Sequence, residues 1–168
     1  MTDLNSIRPG ELAVTPPQAR DAGVEFIGRI HTPWTTRAET PRQGRDDGPV
    51  CRIEVFNTWV PALKGLDAFE TLFVLYWLHQ SRRDLVTQSP RSNGATTGTF
   101  ALRSPVRPNP IGLSQVKLVG IERNIVSVQG LDCLDGTPLI DIKPYLKTTD
   151  CEPGSDMGWL ARHATRRR

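Results

Sequence analysis

The chain has 168 residues, of which 38% are hydrophobic, with 14 glycines, 14 prolines and a formal net charge of +3 at pH 7. That length suits one domain with a real hydrophobic core, and the turn-forming glycine and proline content favours a β-rich, loop-rich fold over a helical bundle. Arg162, Arg166, Arg167 and Arg168 account for more than the whole net charge, so the body sums to about −1, which excludes a basic domain that coats nucleic acid.

Residues 1–23 are polar, carry Pro9, Pro16 and Pro17, and read as a segment that is extended or partly disordered. A first strand is predicted over 24–30, broken by His31-Thr32-Pro33, and a polar, glycine- and proline-punctuated loop follows over 35–49. Residues 51–56 alternate apolar and polar with period two, which marks a half-buried strand. A short helical turn over 63–69 leads into 71–78, a nearly continuous aromatic and β-branched run that suits a strand covered on both faces. It stops abruptly at His79-Gln80, and a second long polar loop is predicted over 81–98.

A short strand at 99–102 enters a loop over 103–114 that holds Pro105, Pro108 and Pro110 with Arg103 and Arg107. Proline fixes φ and restricts the residue before it, so this loop is stiff. It is either a rigid connector or a cradle that presents fixed guanidinium groups to an anion. Strands over 115–121 and 125–129 form a hairpin around Glu122-Arg123-Asn124. A polar knot over 132–138, with Asp-Gly and Thr-Pro as turn formers, precedes a last strand at 139–142. Short strands separated by turn signals predict a mainly β, single-domain, closed or nearly closed barrel with short helices and long functional loops. The expected organisation is an extension (1–23), a barrel domain (24–147) and a basic tail (148–168).

No apolar run approaches the length of a membrane span, and the N-terminus has no apolar core of a secretory leader, so neither is expected. Cys51, Cys133 and Cys151 are odd in number and widely spaced, and the three histidines include no pair at ligand spacing. A disulfide framework and a metal site are therefore not expected, and a reduced, cytoplasmic setting is. Nucleotide fingerprints of the G-x-G-x-x-G and P-loop kinds are absent, as is G-x-S-x-G.

Four polar clusters fall in loops or at strand ends: Pro41-Arg42-Gln43, His79-Gln80, the segment 103–114, and Asp135-Gly136-Thr137. A barrel can gather such clusters around one mouth. Each also has a plainer reading: a solvated arginine, a capped strand, a rigid connector and a common turn. The arginine tail either touches phosphates or is simply solvated.

Pro41-Arg42-Gln43, LKGLDAFETLFVLYWLHQ at 63–80, GTFALRSPVRPNPIGLSQV at 98–116 and GLDCLDGTPLIDIKPYL at 130–146 resemble, in order, the motifs of the TsaA-like (YaeB/TrmO) family. The matches span roughly 24–146. The resemblance implies a small β-barrel, not a Rossmann sheet, that binds S-adenosyl-L-methionine and works as a homodimer. It also implies methyl transfer to N6 of the threonylcarbamoyl-modified adenosine next to the anticodon of tRNA. Carried over by residue, the cofactor contacts are Pro41, Arg42, Gln43, His79, Gln80, Arg103, Leu113, Leu134, Asp135, Gly136 and Thr137. An arginine suits the cofactor carboxylate, Asp135 its hydroxyls or amino group, and Leu113 an apolar face for adenine. Candidates for the group that takes the N6 proton are Asp135, Asp141 and His79. Two departures stand out: Val106 replaces the phenylalanine usual in the loop, and the further C-terminal domain of longer bacterial members is not expected here. The alternatives are another acceptor on the same scaffold, a small molecule or a different RNA, and a binding module without catalysis.

Overall fold

Alternation of β-branched or aliphatic residues with polar ones writes most of this fold. The computed structural model describes residues 6–15, 23–90, 95–156 and 158. Among them are nine strands: β1 (Leu12–Ala13), β2 (Gly28–His31), β3 (Val50–Val55), β4 (Thr71–Trp77), β5 (Leu85–Gln88), β6 (Thr97–Gly98), β7 (Ile111–Glu122), β8 (Ile125–Gln129) and β9 (Thr137–Pro144). Short 3-10 helices cover Asn57–Leu63, Leu66–Ala68 and Thr99–Ala101, and one α-helical turn, α1, covers Lys147–Asp150. The arginines of the tail lie outside the described residues.

Two compact units divide the chain. Residues 19–80 and 110–145 form the first, and residues 1–18, 81–109 and 146–168 the second. The first unit is a closed barrel in the order β2-β3-β8-β7-β4-β9, with every neighbouring pair antiparallel. Ile30, Ile53, Val55, Leu72, Val74, Val116, Val126, Val128 and Leu139 alternate inward and are fully or almost fully buried. Each such aliphatic side chain contributes about 1.5–3 kcal/mol of burial free energy. Two bulges bend the sheet toward closure: Val119 is the extra residue between β7 and β8, and Ile140 the extra residue between β4 and β9. The β7–β8 hairpin turns on Arg123 and Asn124, with Arg123 in the left-handed region (φ 54°).

The barrel expected from sequence is present, with corrected boundaries. β2 begins at Gly28 rather than at residue 24, because Val24 and Phe26 stay exposed and outside the ladder. β7 starts at Ile111, so the end of the proline-rich loop is already strand. Gly112 has to be glycine there, since a β-carbon would meet the Tyr76 ring at 2.1 Å. β4 buries Leu72, Val74 and Tyr76, while its other face is only half covered.

The second unit corrects the sequence reading more deeply. The predicted loop 81–98 contains β5 and β6, which join β1 in a three-stranded sheet in the order β1-β5-β6. β1 belongs to the stretch read as extended or partly disordered, and its pairing with β5 was not foreseen. The expected strand at 99–102 is instead a 3-10 turn: the Thr99 hydroxyl donates to Leu85 O (2.9 Å) and accepts from Gln88 Nε2 (3.0 Å), which pulls the chain inward. Gln88 also donates to Val106 O (2.6 Å), Arg83 to Pro108 O (2.6 Å), and Arg107 Nη1 to Leu102 O (3.1 Å). Arg107 therefore braces the proline-rich loop.

Candidate functional site

Register alone fixes which loops share a rim. Ile30 pairs with Thr137, Trp77 with Ile111 and Val50 with Gln129, so the ends of β2, β4 and β8 and the starts of β3, β7 and β9 lie at one end of the barrel. The connections at that end are 32–49, 78–110 and 130–136. They carry Pro41, Arg42 and Gln43; His79 and Gln80; and Leu134, Asp135 and Gly136, with Thr137 opening β9.

The turn at 134–137 is built by backbone. Asp135 N donates to Trp34 O (2.7 Å) and Gly136 N to Ile30 O (2.9 Å), while the Thr32 hydroxyl donates to Cys133 O (2.9 Å). Gly136 sits at φ 76°, a conformation glycine takes without strain. The buried Thr137 hydroxyl donates to Leu134 O (2.7 Å) and closes the turn. Asp135 stays exposed; its Oδ1 accepts Thr32 N (3.1 Å) and lies 3.6 Å from His31 Nδ1. His31 Nε2 in turn lies 3.3 Å from Glu54 Oε2. Among the described residues Asp135 Oδ2 has no hydrogen-bond partner.

The loop at 41–43 comes to the same rim through Gly44, whose N–H donates to Asp132 Oδ2 (3.2 Å). Arg42 and Gln43 are exposed, and among the described residues the Arg42 guanidinium has no carboxylate partner. His79 follows β4 in a tight turn, its N–H donating to Trp77 O (2.8 Å), and its ring and the Gln80 amide are exposed. Leu113 lies opposite Leu75 on the outer face of the barrel, 45% exposed, with Gly112 and Ser114 on the buried face. Arg103 is exposed and belongs to the second unit.

Of the candidates for accepting a proton, His79 and Asp135 stand at the rim. Asp141 lies farther along β9, opposite Leu75 as Leu113 is on β7, and pairs with Lys143 Nζ (2.7 Å). Cys133 is no nucleophile either, because burial and then the Asp132 carboxylate push its thiol up to about 12. Burial raises the Cys51 thiol as well. No group of three or more His, Cys, Asp or Glu suited to a metal occurs among the described residues, and no helix there is long and apolar enough to cross a membrane.

Sequence reasoning passed over a buried polar cluster behind this rim. Asp132 Oδ1 accepts from the Tyr76 hydroxyl and from the Ser114 hydroxyl (3.1 Å), and the two hydroxyls are 2.8 Å apart. Burial, and then the Asp132 charge, hold the Tyr76 phenol far above its ordinary value, so it remains a donor. An aspartate at the head of the polar knot and a glycine directly after Pro41-Arg42-Gln43 were the available signals. Their partnership depends on register.

The family model for the N-terminal domain of tRNA-methyltransferase O matches residues 29–151, which takes in the barrel from the second residue of β2 onward and its rim. The chain belongs to this family. The probable S-adenosyl-L-methionine-binding protein VirR of Rhizobium radiobacter is 53% identical over 82% of this chain and 79% of its own. The tRNA (adenine(37)-N6)-methyltransferase of Mus musculus is 38% identical over 75% of this chain but only 31% of its own length. Among solved structures, TrmO of Pseudomonas aeruginosa superposes with a TM-score of 0.70 at 32% identity, over 85% of this chain and 63% of that one. This member of the tRNA-methyltransferase O family thus spans less than two thirds of the solved TrmO chain and about a third of the mouse enzyme.

Proposed function

We propose that this chain is an S-adenosyl-L-methionine-dependent methyltransferase whose acceptor is N6 of threonylcarbamoyl-modified adenosine next to the anticodon in tRNA, acting as a cytoplasmic homodimer. The observation that carries the reading is the convergence of three loop clusters, 41–43, 79–80 and 134–137, on one barrel rim in a chain of the tRNA-methyltransferase O family.

The rim has the donor set that the cofactor requires. Arg42, whose guanidinium has no carboxylate partner among the described residues, offers a two-pronged, charge-assisted hydrogen bond to a carboxylate. Asp135 Oδ2 is open to a ribose hydroxyl or an amino group. The cofactor supplies, when bound, an electrophilic methyl on a sulfonium. The chain's own task is then to orient: the acceptor nitrogen has to meet that methyl in line, and proximity of this kind outweighs a strong base. Asp135 and His79 are the rim groups able to accept the N6 proton. The exposed Leu113 side chain supports an apolar contact.

Labelled cofactor incubated with the full chain and tRNA from cells lacking this modification tests the reading. Label in N6-methylated threonylcarbamoyladenosine is the expected result, and no transfer to any tRNA would sink it. A second reading is a binding module without catalysis, favoured by VirR, whose name states binding alone. It predicts a calorimetric binding signal with no turnover.

A further inference from the structure

The loop that brings Pro41, Arg42 and Gln43 to the rim is tied to the barrel near both ends, through Thr32 and Trp34 on one side and through Gly48 O, which accepts from Gln129 Nε2 (3.0 Å), on the other; its middle is almost self-contained. Among the described residues, its hydrogen bonds from 38 to 47 stay within the loop: Glu39 with Thr35 and Thr36, Thr40 with Arg37, and Arg45 with Asp47. One bond leaves this stretch, Gly44 N–H to Asp132 Oδ2 at 3.2 Å. The other oxygen of the same carboxylate is held by the Tyr76 hydroxyl of β4 and the Ser114 hydroxyl of β7, both buried. Asp132 itself opens the turn that carries Leu134 to Thr137. One carboxylate thus ties two barrel strands, the turn at 134–137 and the loop at 41–43.

We propose that Asp132 is a positioning residue for the cofactor: its carboxylate pins the 41–43 loop against the rim so that Arg42 and Gln43 are in place before the ligand arrives. Asp132 need not touch the ligand. Its Oδ1 is engaged with Tyr76 and Ser114, and its Oδ2 with a backbone N–H that no side-chain substitution can replace. The geometry is demanding, since Gly44 packs backbone to backbone on Gly130 and leaves no room for another approach. Pre-ordering a binding loop raises affinity by removing the ordering cost from the binding step. The cofactor half of this inference rests on the proposed function; the pin itself does not.

Hydrogen exchange on the full chain without ligand tests the pin directly. In the wild type the Gly44 amide should exchange far more slowly than those of Gln43 and Arg45, and equal rates would overturn the proposal. In Asp132→Ala, exchange over 38–47 should rise about tenfold, while β4 and β7 keep their protection. Asp132→Asn should restore most of it, because the carboxamide oxygen still accepts from Gly44 and its NH2 donates to the hydroxyls. Tyr76→Phe, which leaves Oδ2 untouched, should not loosen the loop. With S-adenosyl-L-methionine, Asp132→Ala should raise KM for the cofactor about tenfold with kcat at saturation little changed, and Asp132→Asn should recover it. Equal loss of protection in strands and loop, or alanine and asparagine variants that behave alike, would overturn the pin. A wild-type chain that binds no cofactor while the exchange result stands would overturn the cofactor reading alone.

Discussion

A β-carbon on Gly44 would stand 1.7 Å from the carbonyl oxygen of Gly130. Both partners are backbone, so no side chain can swing aside to relieve the clash. Gly44→Ala should therefore lift the 41–43 loop off the rim, at a cost of about 1–3 kcal/mol typical of overpacking. The barrel should survive. Circular dichroism unchanged at 25 °C with cofactor affinity lowered at least tenfold is the expected pair of results. Unaltered affinity would mean that the loop takes no part in binding.

Arg42 is exposed and has no carboxylate partner among the described residues. Its replacement should therefore spare stability and touch binding alone. Arg42→Ala is expected to weaken S-adenosyl-L-methionine binding about tenfold to a hundredfold, the range for a lost hydrogen bond to a charged group. Arg42→Lys should recover only part, since an ammonium cannot form the two-pronged bond. Titration calorimetry beside thermal melts separates the two effects.

The cysteines divide by environment. Cys51 and Cys133 are buried with raised thiol values, whereas Cys151 is exposed. Iodoacetamide at pH 8 should label Cys151 alone in the native chain and all three after unfolding, as read by mass spectrometry. Methyl transfer by the singly labelled chain should proceed at the unlabelled rate. Inactivation would place a thiol in the chemistry and contradict the assignment.

Acid should weaken the second unit through Glu11. The Glu11 side chain is 1% exposed, and burial alone would raise its value. Backbone N–H groups of Arg8 (2.9 Å) and Ser89 (3.0 Å), with the Arg8 guanidinium at 2.6 Å, outweigh burial and hold the carboxyl below its ordinary 4.5. A lowered folded-state value means the unfolded chain takes up the proton more readily. The stabilisation is thus present above about pH 4.5 and is lost as pH falls through the lowered value. Glu11→Gln should flatten this dependence. Hydrogen exchange of β1 and β5 between pH 5 and pH 3 measures it.

Period-two alternation made β3 legible, a continuous aromatic and β-branched run made β4 legible although only one of its faces is fully buried, and turn residues beside an apolar run marked β8 as the arm of a hairpin. Proline and glycine punctuation marked the connections, and those carrying 41–43, 79–80 and 134–137 leave the same end of the barrel. The misses have a common cause. β5 and β6 are four and two residues long within polar sequence; they pair with each other, and β5 takes its second partner, β1, from more than seventy residues away. The 3-10 turn at Thr99–Ala101 owes its shape to Gln88, and Arg107 turned out to brace its own loop. Asp132 was hidden most completely. Nothing in Leu-Asp-Cys announces that its carboxylate faces Tyr76, Ser114 and Gly44, since those neighbours are set by the register of strands far apart in the chain.

β9 fits between β2 and β4 and is the last strand of the barrel to be synthesised. Closure of the barrel therefore waits on its last strand: the contact between Gly28 and Leu139 that completes it joins residues more than a hundred positions apart, the long-range kind of pairing that forms slowly.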